Sequence, residues 1–211
     1  MINIKWFGHS MWKIWNDKVS VITDPFTDIG YPLPKNETAD IVLSSHDHFD
    51  HNNFDLITGN FQKINNEGKY NISGVEIKTI PTWHDEEKGG KRGKNLLMKF
   101  TLDRKTFLHC GDLGHDLNDE MISKLGKIDV LFIPVGGHFT IDAVQAKKIV
   151  DKIKPKIVFP MHYKTEVLDF PIAKKEAYLD LIPSCRKVDS NILKLEADDF
   201  QTKQTIILDF K

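Results

Sequence analysis

The stretch Ser45-His46-Asp47-His48-Phe49-Asp50-His51 decides how the rest of the chain is read. It places three imidazoles and the carboxylate of Asp50 on one short segment, in the pattern H-x-H-x-D-H. Imidazole nitrogen suits zinc, iron and nickel, whereas carboxylate oxygen suits harder cations. A mixed cluster of this kind is suited to two neighbouring metals, which can hold a hydroxide between them and aim it at an electrophile. His46 and His48 are two apart, so in an extended segment they point the same way. Asp50 and His51 are adjacent and would diverge on a strand, so the chain must turn there. The preceding residues 39–44 form a short apolar run that reads as a buried strand. The cluster therefore sits where that strand opens to solvent.

Three more candidate ligands each close a strand-like run. His84 follows residues 75–83, Asp112 follows 106–111, and His162 follows 156–161. Side chains at the ends of separate strands, gathered at one edge of a sheet, make a rigid site. Asp103 and Asp129 fit the same role less well, because neither follows a pattern like His109-Cys110-Gly111. His9 lies in a Gly-His-Ser turn, either beside the metals or packed under the turn. Asp24 precedes Pro25, and a carboxylate there could orient a metal-bound imidazole through its free N–H; the alternative is an Asp-Pro turn. His138 follows two glycines, His109 lies within a strand-like run, and His115 reads as a loop residue.

At this point the chain resembles the metallo-β-lactamase superfamily of metal-dependent hydrolases, in the order H-x-H-x-D-H, His, Asp, His. Within it the chain is most similar to the branch that includes ascorbate-6-phosphate lactonase. That likeness rests on Trp6-Phe7-Gly8-His9-Ser10 with Thr23-Asp24-Pro25, on Phe132 to Thr140, and on Pro160-Met161-His162-Tyr163. The resemblance implies that His46, His48 and His84 bind one metal, that Asp50, His51 and His162 bind a second, and that Asp112 bridges both. It implies catalytic roles for Asp50 and Asp112, a supporting role behind the ligands for His9 and Asp24, and a substrate-pocket position for His138. Its fold is a four-layer αββα sandwich of two mixed sheets flanked by helices. The expected cofactors are two divalent ions, zinc first with manganese as the alternative. The expected reaction is hydrolysis of an ester, lactone or phosphoester bond in a small molecule. A phosphorylated sugar lactone is the specific candidate and a phosphodiester, including a phospholipid head-group bond, the alternative. Two further classes remain: a di-iron redox protein, and a metal-bound protein without turnover. The stretch between Asp112 and His162 has no room for the inserted domain of the superfamily's nucleases, and no flavin domain is present.

Composition agrees with one domain spanning residues 1–211. Apolar residues make up 40% and charged residues 28%, which marks a globular chain. The formal net charge of −1 suggests neither a nucleic-acid nor a membrane partner, and leaves a homo-oligomer open. Lys88, Lys91, Arg92 and Lys94 cluster among glycines, which suggests a mobile loop or a cationic rim that draws an anionic substrate. Two cysteines, Cys110 and Cys185, are too few for a disulfide scaffold. With no signal-like N-terminus and no long apolar run, the expected location is cytoplasmic.

Strand signals appear at 2–6, 11–15, 19–22, 75–80, 96–102 and 106–110, with Asn16-Asp17-Lys18 as a hairpin turn. Residues 30–34 form a loop expected to cover the site. Leu117, Met121, Ile122 and Leu125 share a helical face that Gly126 should stop. Asp142 and Gln145 form a cap-like pair before a helix that buries Ala146, Ile149, Val150 and Ile153 and ends at Pro155. A last helix near 173–182 should lead to strands at 191–196 and 204–209. Strands first and mixed units later suggest two sheets with helices outside.

Overall fold

Alternating apolar side chains at Ile2, Ile4 and Trp6 bury one face of the first strand, and a tight turn at Gly8-His9-Ser10 folds the second strand back on it. Residues 1–211 are described by a computed structural model. In chain order its elements are β1 (Ile2–Gly8), β2 (Met11–Trp15), β3 (Ser20–Thr23), β4 (Glu37–Thr38), β5 (Ile41–Leu43), β6 (Ile57–Thr58), β7 (Gln62–Ile64), β8 (Gly68–Ile72), β9 (Val75–Trp83), β10 (Lys94–Leu102), β11 (Lys105–His109), α1 (Asp119–Leu125), β12 (Val130–Pro134), α2 (Ala143–Ile153), β13 (Ile157–Met161), α3 (Glu176–Leu179), β14 (Arg186–Val188), β15 (Ile192–Leu195) and β16 (Gln204–Leu208).

Two mixed sheets result. The first has the order β15-β1-β2-β3-β5-β7, and the second β14-β16-β13-β12-β11-β10-β9-β8. Each combines an antiparallel meander with parallel strands: β3, β5 and β7 in the first, and β11, β12, β13, β16 and β14 in the second. The sheets pack face to face around one hydrophobic core. Trp12 of β2 crosses the interface, with its ring centroid 4.8 Å from Phe132 and 5.2 Å from Phe159. Trp6 stacks on Trp12 at 5.6 Å.

The helices gather on the second sheet. Asp142 caps α2 in a reciprocal capping box with Gln145, and Ala146 and Ile149 are buried beneath that helix. Lys152 reaches back to the Leu117 carbonyl and to Asp119 of α1. Gly126, at φ 64°, stops α1 as expected. Beside the first sheet, β4 pairs with β6, and Glu37 of β4 takes the ammonium groups of both Lys5 and Lys13.

Several local expectations change. The last helix is a single turn, Glu176–Leu179, because residue 174 is used in a bridge to Lys164 and Pro183 follows closely. The closing strands part company: β15 joins the first sheet and β16 the second. The loop at 30–34 does not lie over the candidate site. Tyr31 is buried and packs against Phe26, Trp6 and Phe210, which pulls the loop into the core.

Candidate metal centre

Every candidate ligand except His84 leaves the C-terminal end of a parallel strand. The cluster from His46 to His51 follows β5, Asp112 follows β11, and His162 follows β13; His84 follows β9 beside them. Ligands commonly bind outside the carboxyl ends of such strands, where the chain must turn and side chains converge.

The convergence is tight. His46, His48 and His84 offer ring nitrogens that all lie within 4.8 Å of one another. A carboxylate oxygen of Asp50 and ring nitrogens of His51, His162 and His9 form a second such group. Asp112 stands between the two groups. Its Oδ2 is 3.3 Å from His84 Nε2 and 3.1 Å from His162 Nε2, while its Oδ1 is 3.3 Å from His51 Nε2. The seven residues read from the sequence are thus brought together, and all but the half-buried His48 are buried.

His9 comes closer than a packing residue under a turn. Its Nε2 is 3.3 Å from Asp50 Oδ2, and its ring centroid is 4.2 Å from that of His162. The residue holds φ 49°, in the left-handed region that side chains uncommonly adopt. Asp24 lies where a supporting carboxylate is expected. It accepts hydrogen bonds from the backbone N–H of Ser45 at 2.7 Å, from Ser45 Oγ at 2.9 Å and from His51 Nδ1 at 2.9 Å. Ser45 Oγ in turn accepts from His46 Nδ1 at 2.9 Å. One buried carboxylate therefore sets the tautomers of His46 and His51 and leaves each Nε2 facing the cluster.

Sequence reading missed Ser45 and Asn95. Ser45 directly precedes the histidine pattern, but its role depends on Asp24, distant in sequence. Asn95, fully buried, accepts from the Asp112 backbone N–H at 2.9 Å and donates to Cys110 O and Thr82 Oγ1. No local signal marks it. Gly111, at φ 54°, has no room for a Cβ, which would lie 2.3 Å from Asn95 Oδ1 and 2.4 Å from Ser45 Cβ.

Other histidines fall away from the centre. His138 is exposed, and its neighbour Phe139 lines the cavity instead, with the His138 ring edge-on to Phe139 at 4.5 Å. The anticipated pocket position thus shifts by one residue, because His138 takes the left-handed conformation (φ 60°) at the turn. His109 is buried and donates from Nε2 to the Ser10 carbonyl, bracing the turn that carries His9. His115 accepts from the Trp83 N–H and donates to the Asp116 carbonyl.

The electrostatics suit cations. Burial, reinforced by His51, drives His46 down to about 3, and burial with His162 drives His9 to about 4. Both imidazoles are held neutral, as metal ligation requires. Burial opposes ionisation of Asp112, yet His162 and His51 hold its carboxyl well below the usual range. His51 is buried too, but Asp112, Asp50 and Asp24 together raise it well above an ordinary histidine. Three carboxylates converge on one imidazole there, a concentration of negative charge that divalent cations would neutralise. His51 Nε2 and Asp112 Oδ1 are buried without a hydrogen-bond partner, although buried polar groups are normally paired. A bound cation satisfies both, so the residues fit a metal.

The centre opens into a cavity of about 260 Å³, walled by Phe49, Arg92, Phe139 and Phe170. A larger depression of about 710 Å³ adjoins it past His46 and His48, lined by Asn65, Asn66, Glu67 and Lys94.

The surrounding loop is braced. The Asp85 carboxylate accepts four backbone N–H bonds, from Glu87, Gly89, Lys91 and Arg92. Burial would raise its carboxyl, but those four bonds bring it down to about 2. The glycines at 89, 90 and 93 thus belong to a cross-tied connection from β9 to β10 and not to a loose one.

Comparison with known proteins follows this geometry. Residues 3–162 match the family model described as the beta-lactamase superfamily domain. A UPF0173 metal-dependent hydrolase of Pyrococcus abyssi is 32% identical over 196 residues, covering 78% of this chain and 86% of its own. Another, from Pyrococcus horikoshii, is 32% identical over 197 residues with the same shares covered. A crystal structure of a candidate Zn-dependent hydrolase of the metallo-beta-lactamase superfamily from Thermotoga maritima superposes with a TM-score of 0.84 at 35% identity, covering 99% of this chain and 98% of that one. Both sheets, the clustered histidines and aspartates and these relatives agree: the chain belongs to the metallo-β-lactamase superfamily, among its metal-dependent hydrolases.

Proposed function

We propose that the chain hydrolyses an ester, lactone or phosphoester bond of a small molecule, using two divalent cations per chain. His46, His48 and His84 would hold one, Asp50, His51 and His162 the other, and Asp112 would bridge them. The observation that carries this reading is the Asp112 carboxylate, buried among His84, His162 and His51 with one oxygen and the facing His51 Nε2 unpaired. When bound, such cations supply Lewis acidity and lower the pKa of water toward about 7. Asp50 stands at the cavity wall, ionised and tied to His9, where it can orient an attacking water and receive its proton. Burial opposes its ionisation, but His51 and His9 hold its carboxyl well below the usual range. Phe139 and Phe170 form an apolar wall on which the substrate would rest.

Histidine-rich ligation favours zinc, and the carboxylates admit manganese. A phosphorylated sugar lactone is the narrower reading and a phosphodiester the alternative; the superfamily resemblance supports the first. Elemental analysis of protein purified without added metal or chelator tests the centre. About two equivalents of zinc or manganese per chain are expected, with Asp112→Ala losing both metal and turnover. Full metal and full rate in that variant would remove Asp112 from the bridging role. A panel of lactones and phosphodiesters then separates the substrates, because activity on phosphodiesters alone would end the lactonase reading.

A further inference from the structure

We infer that Arg92 is the specificity-determining residue of this site and that it selects a small organic anion, binding a carboxylate or phosphoryl group in two-point contact while the substrate's carbon body rests on Phe139 and Phe170. This rests on the hydrolase reading above.

Of Lys88, Lys91, Arg92 and Lys94, only Arg92 borders the cavity at the candidate metal centre. Lys91 is exposed and pairs with Glu87 at 2.6 Å, and Lys94, at the start of β10, lines the adjoining depression, which Arg92 also borders. The Arg92 guanidinium lies 5.4 Å from the centre of the Phe139 ring, over its face. No carboxylate or carbonyl of the chain accepts from it, so its planar fork of donors is free. Arginine stacked on an aromatic ring with its donors unused is prepared for a planar oxyanion, which it grips bidentately.

The backbone explains why its position is dependable. The Arg92 N–H is held by Asp85 at 2.8 Å, and the residue after it, Gly93, accepts from the His84 N–H at 3.1 Å. Arg92 and the candidate ligand His84 therefore ride on one braced segment, so the distance from anion to reacting bond is built in. The aromatic wall continues beyond Arg92. Phe170 meets Phe139 at 5.9 Å between centroids, and Phe49 stands at the rim, 58% exposed. The cavity beside Phe139 and Phe170 has a volume of about 260 Å³, room for the anionic end of a small molecule.

The test compares metal-loaded wild type with Arg92→Ala and Arg92→Lys, each first shown to hold wild-type metal content. Inorganic phosphate and glutarate are titrated by calorimetry. Arg92→Ala should bind one or both about 10- to 100-fold more weakly, the loss of a charge-assisted contact, and lysine should recover only part. Tightening by phosphate alone assigns a phosphoryl group, and by glutarate alone a carboxylate. Equal affinities in wild type and Arg92→Ala overturn the inference. Turnover is then measured on mono-p-nitrophenyl glutarate and on neutral p-nitrophenyl valerate. Wild type should prefer the anionic ester and Arg92→Ala should lose that preference through KM. If both esters are cleaved alike by both proteins, hydrolysis stands and the role of Arg92 falls. If neither ester is cleaved but the binding difference persists, the anion site stands and the carboxylic-ester part of the proposed reaction fails.

Discussion

Single residues around the centre work through their neighbours. Asp24 touches no reacting atom in the proposed chemistry, yet its carboxylate aims His51 directly and His46 through Ser45. Asp24→Asn keeps the shape and removes the charge. It should lower metal affinity about 10- to 100-fold, measured by competition with a chromogenic chelator, while the fold survives. Unchanged affinity would show that the imidazoles orient themselves. Gly111 tests geometry instead of charge. A methyl group there meets Asn95 and Ser45 well inside contact distance on a left-handed backbone. Gly111→Ala should cost about 1–3 kcal/mol, read as a drop in Tm of several degrees, and should displace Asp112 and weaken metal binding in parallel. The histidine pattern, Asp112 and His162 were legible as residue types at strand ends. Ser45, Asn95 and the approach of His9 to Asp50 were not, because each depends on a partner far along the chain.

At the scale of elements, β4 shows how a two-residue strand can matter. Glu37 spans Lys5 of β1 and Lys13 of β2, which face each other across the ladder and would otherwise repel. Burial works to raise the Glu37 carboxyl, but the hydrogen bonds and charge of Lys13 and then Lys5 hold it below the usual glutamate range. A carboxyl whose folded pKa lies below its unfolded value of about 4.3 stabilises the fold above that value and loses this as the pH falls further. Glu37→Gln should therefore cost about 1 kcal/mol at neutral pH in chemical denaturation, and its difference from wild type should shrink as the pH drops below about 4.3. A difference independent of pH would mean that packing, not charge, holds β4. Such a strand has no periodicity to read, and β6, β7 and β14 escaped for the same reason. Longer elements were readable. The Asp142–Gln145 capping box and the Gly126 stop came through because their signals are local.

For the whole molecule, the two sheets meet through the aromatic cluster of Trp12, Phe132 and Phe159. The candidate ligands come from both sheets, with His46 to His51 on the first and His84, Asp112 and His162 on the second. Loosening the sandwich should therefore reach the centre. Trp12→Ala removes a fully buried indole and should cost about 3–5 kcal/mol. Metal release and loss of tertiary signal should then coincide in one thermal transition. Release well ahead of unfolding would show that the centre opens independently of the core.

The sequence by itself carried the candidate site: seven candidate ligands in order beside strand ends, together with the Asp142–Gln145 cap and the Gly126 stop. These signals are carried by neighbours along the chain, and a local pattern survives without tertiary context. Tertiary structure alone decided the rest. It sent the last two strands to different sheets, drew Tyr31 and its loop into the core, exchanged His138 for Phe139 at the cavity wall, and set Arg92 at the wall of the cavity beside the candidate metal centre. The physical reason is shared by all four. Which strand pairs with which edge, and which side chain fills a given space, depends on surfaces that exist only after distant segments have packed.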